Sequence, residues 1–338
     1  MKTKKQYAVI DIAKYVSALL VVCVHTFPFL EMNETFNLYF IQIVCRLAVP
    51  FFFVVSAFFF FRKWSDDSQQ NRAYLTKYLK RLLKLYLIWT VIYLPYTIWD
   101  YGQVGFSFSN IFGYIRDLFL NGSYYHLWFL PALMLATVLV CWMYSKKGLS
   151  FLLKTSLALY FVGYLINIYT PIWQDLPIIS IFFGFFTKVF STARNGIFFG
   201  PMYVAIGLLL AKTRRLPKKV NGIGFLVSYG LLIIEIWIYG KIGVLRDLSS
   251  MYLLLVPVSY FLVNLLLTIR LPYKPIYRSL RDDSLIIYTS HILFAKPLLI
   301  LVPNAHLVVY FLTLAGAQGC SYLIHKYKDQ YPILGHLI

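Results

Sequence analysis

KYVSALLVVCVHT, Lys14 to Thr26, decides how this chain folds. Its middle is apolar or small, as a membrane-buried helix is, yet a lysine opens it and a histidine stands next to last. Ionisable side chains are costly in hydrocarbon and persist there when they face a partner or a cavity. Lys14 and His25 are eleven residues apart. At 3.6 residues per turn this is close to three turns, so both lie on one face, ~16 Å apart along the axis. Asp11 sits one turn before Lys14 and is placed to pair with it. Between Lys14 and His25 the same face carries Ala18 and then Val21 or Val22, whose small size leaves room for something thin to lie along the helix.

The rest of the chain has the same character. Of 338 residues, 60% are hydrophobic and 13% charged, and the mean hydropathy is +0.68. Soluble domains carry about 25% charge. Ten runs come close to the ~20 apolar residues that cross a bilayer as helix: 8–28, 38–61, 85–101, 125–144, 149–169, 195–211, 220–239, 250–269, 284–302 and 305–324. A further piece, 180–190, reads as re-entrant or interfacial. The chain is therefore expected to be an all-α integral membrane protein, a bundle of about ten transmembrane helices. It reads as a single domain over 1–338 with no separate soluble domain. The opening MKTKK and the apolar run after it have the outline of a signal peptide. The run contains Asp11, Lys14 and His25 and no small-x-small cleavage site, so it reads as the first span.

Charge orients the spans. With the N-terminus in the cytoplasm, 23 of the 32 lysines and arginines fall in inner segments and six in outer ones. Positive charge stays inside, so both termini are expected to be cytoplasmic. The net charge of +19 is thus a topology signal first. Nucleic-acid binding would need a basic soluble module, and none is visible. Cys23, Cys45, Cys141 and Cys320 all fall within spans and form no CxxC pair. They read as small apolar residues, not as disulfides or zinc ligands. The histidines are scattered over different spans, so no metal site is expected. No internal repeat of the kind many transporters carry is visible.

Several polar groups stand out. The longest inner loop, RKWSDDSQQNRAYLTKYLKRLLK (62–84), places Lys77, Lys80, Arg81 and Lys84 around an amphipathic helix beside Leu75, Leu79, Leu82 and Leu83. It reads as an interfacial helix on anionic lipid or as a phosphate-binding patch at the mouth of a site. Arg46 precedes Pro50 in the second span, and Glu235 lies within the seventh. Both are too deep to reach the surface, so an ion pair or a site is expected. His126 and Trp128 open the fourth span; His126 reads as an interfacial anchor or a site residue. Arg194 and Asn195 open the sixth, where Arg194 either snorkels or serves a site. His291, in the ninth, either bonds a neighbouring helix or takes part in catalysis.

Four stretches now combine: DIAKYVSALLVVCVHTFPF (11–29), RLAVPFFFVVSAFFFFRK (46–63), HLWFLPALMLA (126–136) and RNGIFFGPMYVAIG (194–207). With SLIIYTSHILF (284–294) they resemble the acyltransferase-3 family of bacterial ten-helix membrane acyltransferases, over essentially the whole chain. That family's first helix has an arginine, ten residues, then a histidine. Here the spacing is kept and Lys14 stands at the arginine position, which retains the charge and loses the bidentate fork. SAFF, Ser56 to Phe59, stands for a Ser-Gly-Phe-Leu-like element, with Ala57 for glycine. Lys77, Lys80 and Arg81 stand at the arginine-rich entry to the third helix. These departures look like a Gram-positive subgroup that includes the membrane half of vancomycin-resistance serine racemases.

The resemblance implies a multi-pass protein of the bacterial plasma membrane that moves an acyl group across it. The donor would be a cytoplasmic acyl-coenzyme A, with acetyl-coenzyme A the family's common choice, used as co-substrate with no permanently bound cofactor. The acceptor would be a hydroxyl of an extracytoplasmic surface glycan or a lipid-linked sugar. Lys14, Lys77, Lys80 and Arg81 are then expected to hold the donor's phosphates, and its thin arm to lie along the Lys14–Ala18–His25 face. His25 is the expected general base. Arg46 or Arg194 would stabilise the oxyanion, and Glu235 would orient His25 or neutralise Arg46. His126, Trp128, Arg194 and Asn195 would line the acceptor entrance, with Trp128 stacking on a sugar face. Nothing marks Ser56 as an activated nucleophile. The remaining expected partner is membrane lipid; the oligomeric state is not legible. A carrier for a small solute such as an amino acid is the competing class. The lack of repeats and the unbroken Lys14–His25 helix speak against it. A non-catalytic scaffold would not need buried Lys14, Arg46 and Glu235.

Overall fold

The computed structural model describes residues 6–105 and 107–337. Lys2, Lys4 and Lys5 of the inner charge count lie outside the described residues. Among the described residues all regular secondary structure is helical, with no strand. Seven helical stretches of the described residues are long and apolar enough to cross a membrane, one of them the composite stretch Glu34–Phe61. The chain is a multi-pass, all-helical membrane protein made of two compact units.

One unit comprises residues 1–55, 213–238 and 254–338. It holds α1 (Ala8–Thr26), α2 (Glu34–Ile43), a 3-10 turn over Cys45–Leu47 and the start of α3 (Ala48–Phe61). Most of α9 (Lys218–Lys241), α10 (Leu255–Thr268), α11 (Pro275–Leu301) and α12 (His306–Tyr327) complete it. Its seam is a cluster of Ala18 and Val22 from α1, Ile287 from α11 and Ala317 from α12, all fully buried. Small side chains let helix backbones approach closely in a membrane, where packing drives association. The face of α1 where Ala18 and Val22 were expected to leave room is thus occupied by α11 and α12. Tyr15 on α1 donates to Gln318 Oε1 on α12 at 3.1 Å. Asp283 of α11 accepts from Ser321 of α12 and lies 3.4 Å from His325 Nε2.

The expected second span, 38–61, is interrupted. α2 gives way to the 3-10 turn at Arg46 before α3 begins. The cause is Pro50, which has no N–H to give the carbonyl of residue 46 and whose ring crowds that carbonyl. Asn33 caps α2, its side chain accepting from Phe36 N at 2.8 Å. α1 ends in a left-handed cap at Phe27, φ 50°, directly after His25 and Thr26.

The other unit comprises 56–212 and 239–253. It contains the end of α3, α4 (Ser68–Val104), α5 (Phe108–Leu120), α6 (Phe129–Trp173), α7 (Pro177–Phe190) and α8 (Gly200–Lys212). The basic loop and the third expected span are one helix here. α4 starts at Asp67, whose carboxylate accepts from Gln69 N and Gln70 N, and runs 37 residues. At 1.5 Å per residue that is about 55 Å, well beyond the ~30 Å hydrocarbon core. α6 is two helices joined end to end at Gly148, φ 75° and ψ −176°, where the fourth and fifth expected spans divide. The segment 180–190 lies in α7, a short apolar helix. α6 and α8 pack on buried aromatics: the Tyr160 hydroxyl lies 2.9 Å from that of Tyr203 and donates to Tyr252 O at 2.8 Å.

Gly122 carries a sharp requirement. Its φ is +94°, and a Cβ there would stand 2.5 Å from the backbone nitrogen of Trp128. The left-handed region costs a β-carbon about 1–2 kcal/mol, and a backbone clash cannot be relieved by a rotamer change. Gly122→Ala is expected to lower the thermal midpoint of the detergent-purified protein by several degrees. Gly184→Ala, with nothing within 4 Å, is expected to leave it unchanged or raise it. Equal midpoints for both variants would contradict this reading of the 122–128 turn.

Candidate functional site

The first unit gathers Lys14, His25, Arg46 and Glu235, together with His291. α1 ends one residue after His25, and α11 brings His291 against it, with ring centroids 5.1 Å apart at 39°. His25 is half-buried and His291 fully buried. His291 Nδ1 lies 3.0 Å from Ile287 O and 2.8 Å from Tyr288 O. Carbonyl oxygens only accept, so Nδ1 carries the proton and Nε2 is the basic nitrogen of that ring. The end of α1 is itself fixed: Thr26 Oγ1 donates to Val22 O at 2.9 Å, and His306 Nδ1 donates to Thr26 O at 2.7 Å.

Arg46 sits in the 3-10 turn and its Nε donates to Gln42 Oε1 at 2.9 Å. Gln42 is fully buried, so the guanidinium is anchored at its base. Glu235 accepts from Leu254 N at 2.9 Å, which places a carboxylate at the N-terminal end of α10. Helix N-termini favour negative charge, so this contact also steadies α10. At the far end of α1, buried Asp11 lies within electrostatic reach of Lys14 and of Arg281 and Asp282 on α11. Lys14 thus belongs to a charge cluster at the opposite end of the seam from His25.

The second unit holds the other expected residues. His126 is fully buried among Tyr93, Tyr124 and Tyr125, with the Tyr93 ring 4.6 Å away edge-on. This is not the wet position of an interfacial anchor. Tyr124 donates to Asp100 Oδ2 at 2.9 Å, and burial raises the phenol's pKa well above its usual range. The Arg194 guanidinium covers the Trp128 ring at 5.0 Å, a cation–π contact. Asn195 is consumed locally: Nδ2 donates to Thr192 O at 2.8 Å, and Oδ1 accepts from Ile197 N at 2.8 Å and Phe198 N at 3.1 Å. It shapes the turn that presents Arg194. Lys77, Lys80 and Arg81 are exposed on α4. Lys77 and Lys80, with Arg72, line an open depression of about 630 Å³ along that helix.

The His25–His291 pair, the Tyr93–Tyr124–Asp100 surround of His126 and the place of Arg72 emerge only in the fold. The first has a partial signal, a histidine deep in an apolar run. The others have none, because the tyrosines look like ordinary span residues.

Residues 7–326 match the acyltransferase domain of the acyltransferase-3 family. Curated relatives include two amino-acid racemases of Enterococcus faecalis. One is 28% identical over 84% of this chain and 39% of its own length, the other 27% over 88% and 41%. A serine/alanine racemase of Enterococcus gallinarum is 30% identical over 76% of this chain and 37% of its own length. The chain therefore spans about two fifths of the length of these relatives. No solved structure matches. The arginine-to-lysine exchange at Lys14 and the basic helix notwithstanding, this chain belongs to the acyltransferase-3 family.

Proposed function

We propose that this protein is an O-acyltransferase of the bacterial plasma membrane. It moves an acyl group, acetyl in the first instance, from cytoplasmic acyl-coenzyme A to a hydroxyl of an extracytoplasmic or lipid-linked surface glycan. The observation that carries the reading is His25 held beside a buried His291 at the end of α1, in a chain of this family. In this scheme His25 takes the proton of the acceptor hydroxyl as its oxygen attacks the thioester carbonyl. Arg46 stabilises the oxyanion of the tetrahedral intermediate. Collapse expels the coenzyme A thiolate, which takes the proton back from His25. His291, with Nδ1–H committed to two carbonyls, is held in one orientation beside His25.

The exposed cations of α4 hold the donor's phosphates through charge-assisted hydrogen bonds. Lys14 adds to the positive potential on the donor side. His126, Trp128 and Arg194 meet the acceptor, with Asn195 shaping their turn. Topologically, the seven long helical stretches become eight when α6 is divided at Gly148, and the apolar α8 and α10 bring the count to ten. Both termini then lie in the cytoplasm, with the basic start of α4.

The racemase relatives favour one second reading, a carrier for an amino acid such as serine. Purified protein in liposomes separates the two. Release of free thiol from acetyl-coenzyme A in the presence of a surface-glycan panel, without serine uptake, is the expected result. Replacing Lys77, Lys80 and Arg81 together by alanine is expected to raise KM for the donor about tenfold and leave kcat within about twofold. Labelled serine crossing the membrane with no thiol released would overturn the enzyme reading.

A further inference from the structure

Cys23 and Cys45 are 22 residues apart in sequence and lie in different elements, α1 and the 3-10 turn. The fold of the first unit brings them together. Both belong to one buried cluster with Ile41, and Leu20, Val24, Phe27, Phe40 and Tyr310 pack around it. The two thiols share this one apolar enclosure where the 3-10 turn packs on α1, with the Tyr310 side chain against it. Both are free thiols, 5% and 1% exposed. Cys141 and Cys320, the remaining cysteines, belong to neither cluster nor pair.

Two facts narrow what such a pair can do. Two thiols in one three-residue buried cluster need only a local movement to reach the ~2.05 Å of a disulfide. An enclosure of this kind also excludes a protein disulfide donor, which must dock its own reactive sulfur on the target. It admits only a small, uncharged oxidant that dissolves in or crosses the bilayer. The residues on either side add a consequence: His25 follows Cys23 by two positions, and Arg46 directly follows Cys45.

We propose that Cys23 and Cys45 form an oxidisable dithiol whose reagent is a small neutral peroxide, of which hydrogen peroxide is the simplest. One sulfur attacks a peroxide oxygen, the O–O bond breaks and water leaves, giving a sulfenic acid. The second sulfur attacks the first, the S–O bond breaks and a second water leaves, giving the disulfide. Two thiols lose two electrons and two protons, and one peroxide becomes two waters. The bond ties α1 to the 3-10 turn between the two segments that carry His25 and Arg46.

The test does not depend on acyl transfer. A Cys141→Ala/Cys320→Ala variant in detergent is treated with hydrogen peroxide, quenched in acid, denatured and labelled with a maleimide. Two labelled thiols before treatment, none after and two again after reduction are expected, with a Cys23–Cys45 cross-linked peptide in the mass spectrum. Cys23→Ala and Cys45→Ala in the same background are each expected to lose the reversible step. Retention of both thiols at a peroxide dose that oxidises the denatured chain would overturn the proposal. So would loss that reduction does not reverse, or a bond between two molecules. If the double variant does not fold, peptide mapping of the oxidised wild-type protein gives the same decision: the Cys23–Cys45 peptide is present or absent.

Discussion

His25→Ala is expected to lower acyl-coenzyme A turnover by 10²–10⁴-fold, the usual contribution of a positioned general base. Its elution volume and thermal midpoint are expected to match wild type, because His25 is half-buried at the end of α1 and that end is fixed by other bonds. His291 offers the sharper comparison. Its ring lies against His25 and its Nδ1 proton is already committed, so it acts through His25 and is a positioning residue. His291→Gln is expected to cost about tenfold in kcat, with KM for the donor little changed. Residues that act as one unit are grossly non-additive. The double variant is therefore expected to be no slower than His25→Ala alone. Costs that multiply would mean that the rings work separately, and wild-type turnover in His25→Ala would remove His25 from the chemistry.

The parts of this site that were legible in sequence are the local ones. The Lys14–His25 spacing shows in the apolar pattern because one uninterrupted helix carries both, and α1 does run from Ala8 to Thr26. The division of α6 is visible because the polar SKKG precedes a new apolar run, and glycine takes the positive φ that ends the first arm. Long-range facts had no such trace. His25 and His291 are 266 positions apart, and Cys23 and Cys45 sit in two runs that look alike. Ala18 shows most plainly where pattern fails. A small residue on a polar-ended face reads equally well as space for a ligand or as a place for another helix. Ile287 and Ala317 take that place. The turn at Arg46 leaves no trace in the apolar pattern for a related reason. The residues on both sides are apolar, so hydropathy runs through the interruption that Pro50 imposes.

That turn carries the second large effect. Arg46→Ala is expected to lower kcat by 10²–10³-fold, the range seen when one oxyanion donor is removed, with KM for the donor within a few fold. Arg46→Lys is expected to fall between, since it keeps the charge but loses the planar fork and the Nε bond to Gln42. Charge alone and placement are separated by Pro50→Ala. With proline gone, an N–H at that position can reach the carbonyl of Arg46, and α2 and α3 can join as one regular helix. The guanidinium would stay in the chain but leave its present direction, and its bond to buried Gln42 would be lost or remade. A regular helix satisfies one more backbone pair in the membrane, so the thermal midpoint is expected to hold or rise. Turnover is expected to fall nearly as far as in Arg46→Ala. A fall in stability together with turnover would mean that the turn serves packing. Unchanged turnover would mean that the direction of Arg46 is immaterial, and the oxyanion role would pass to another group.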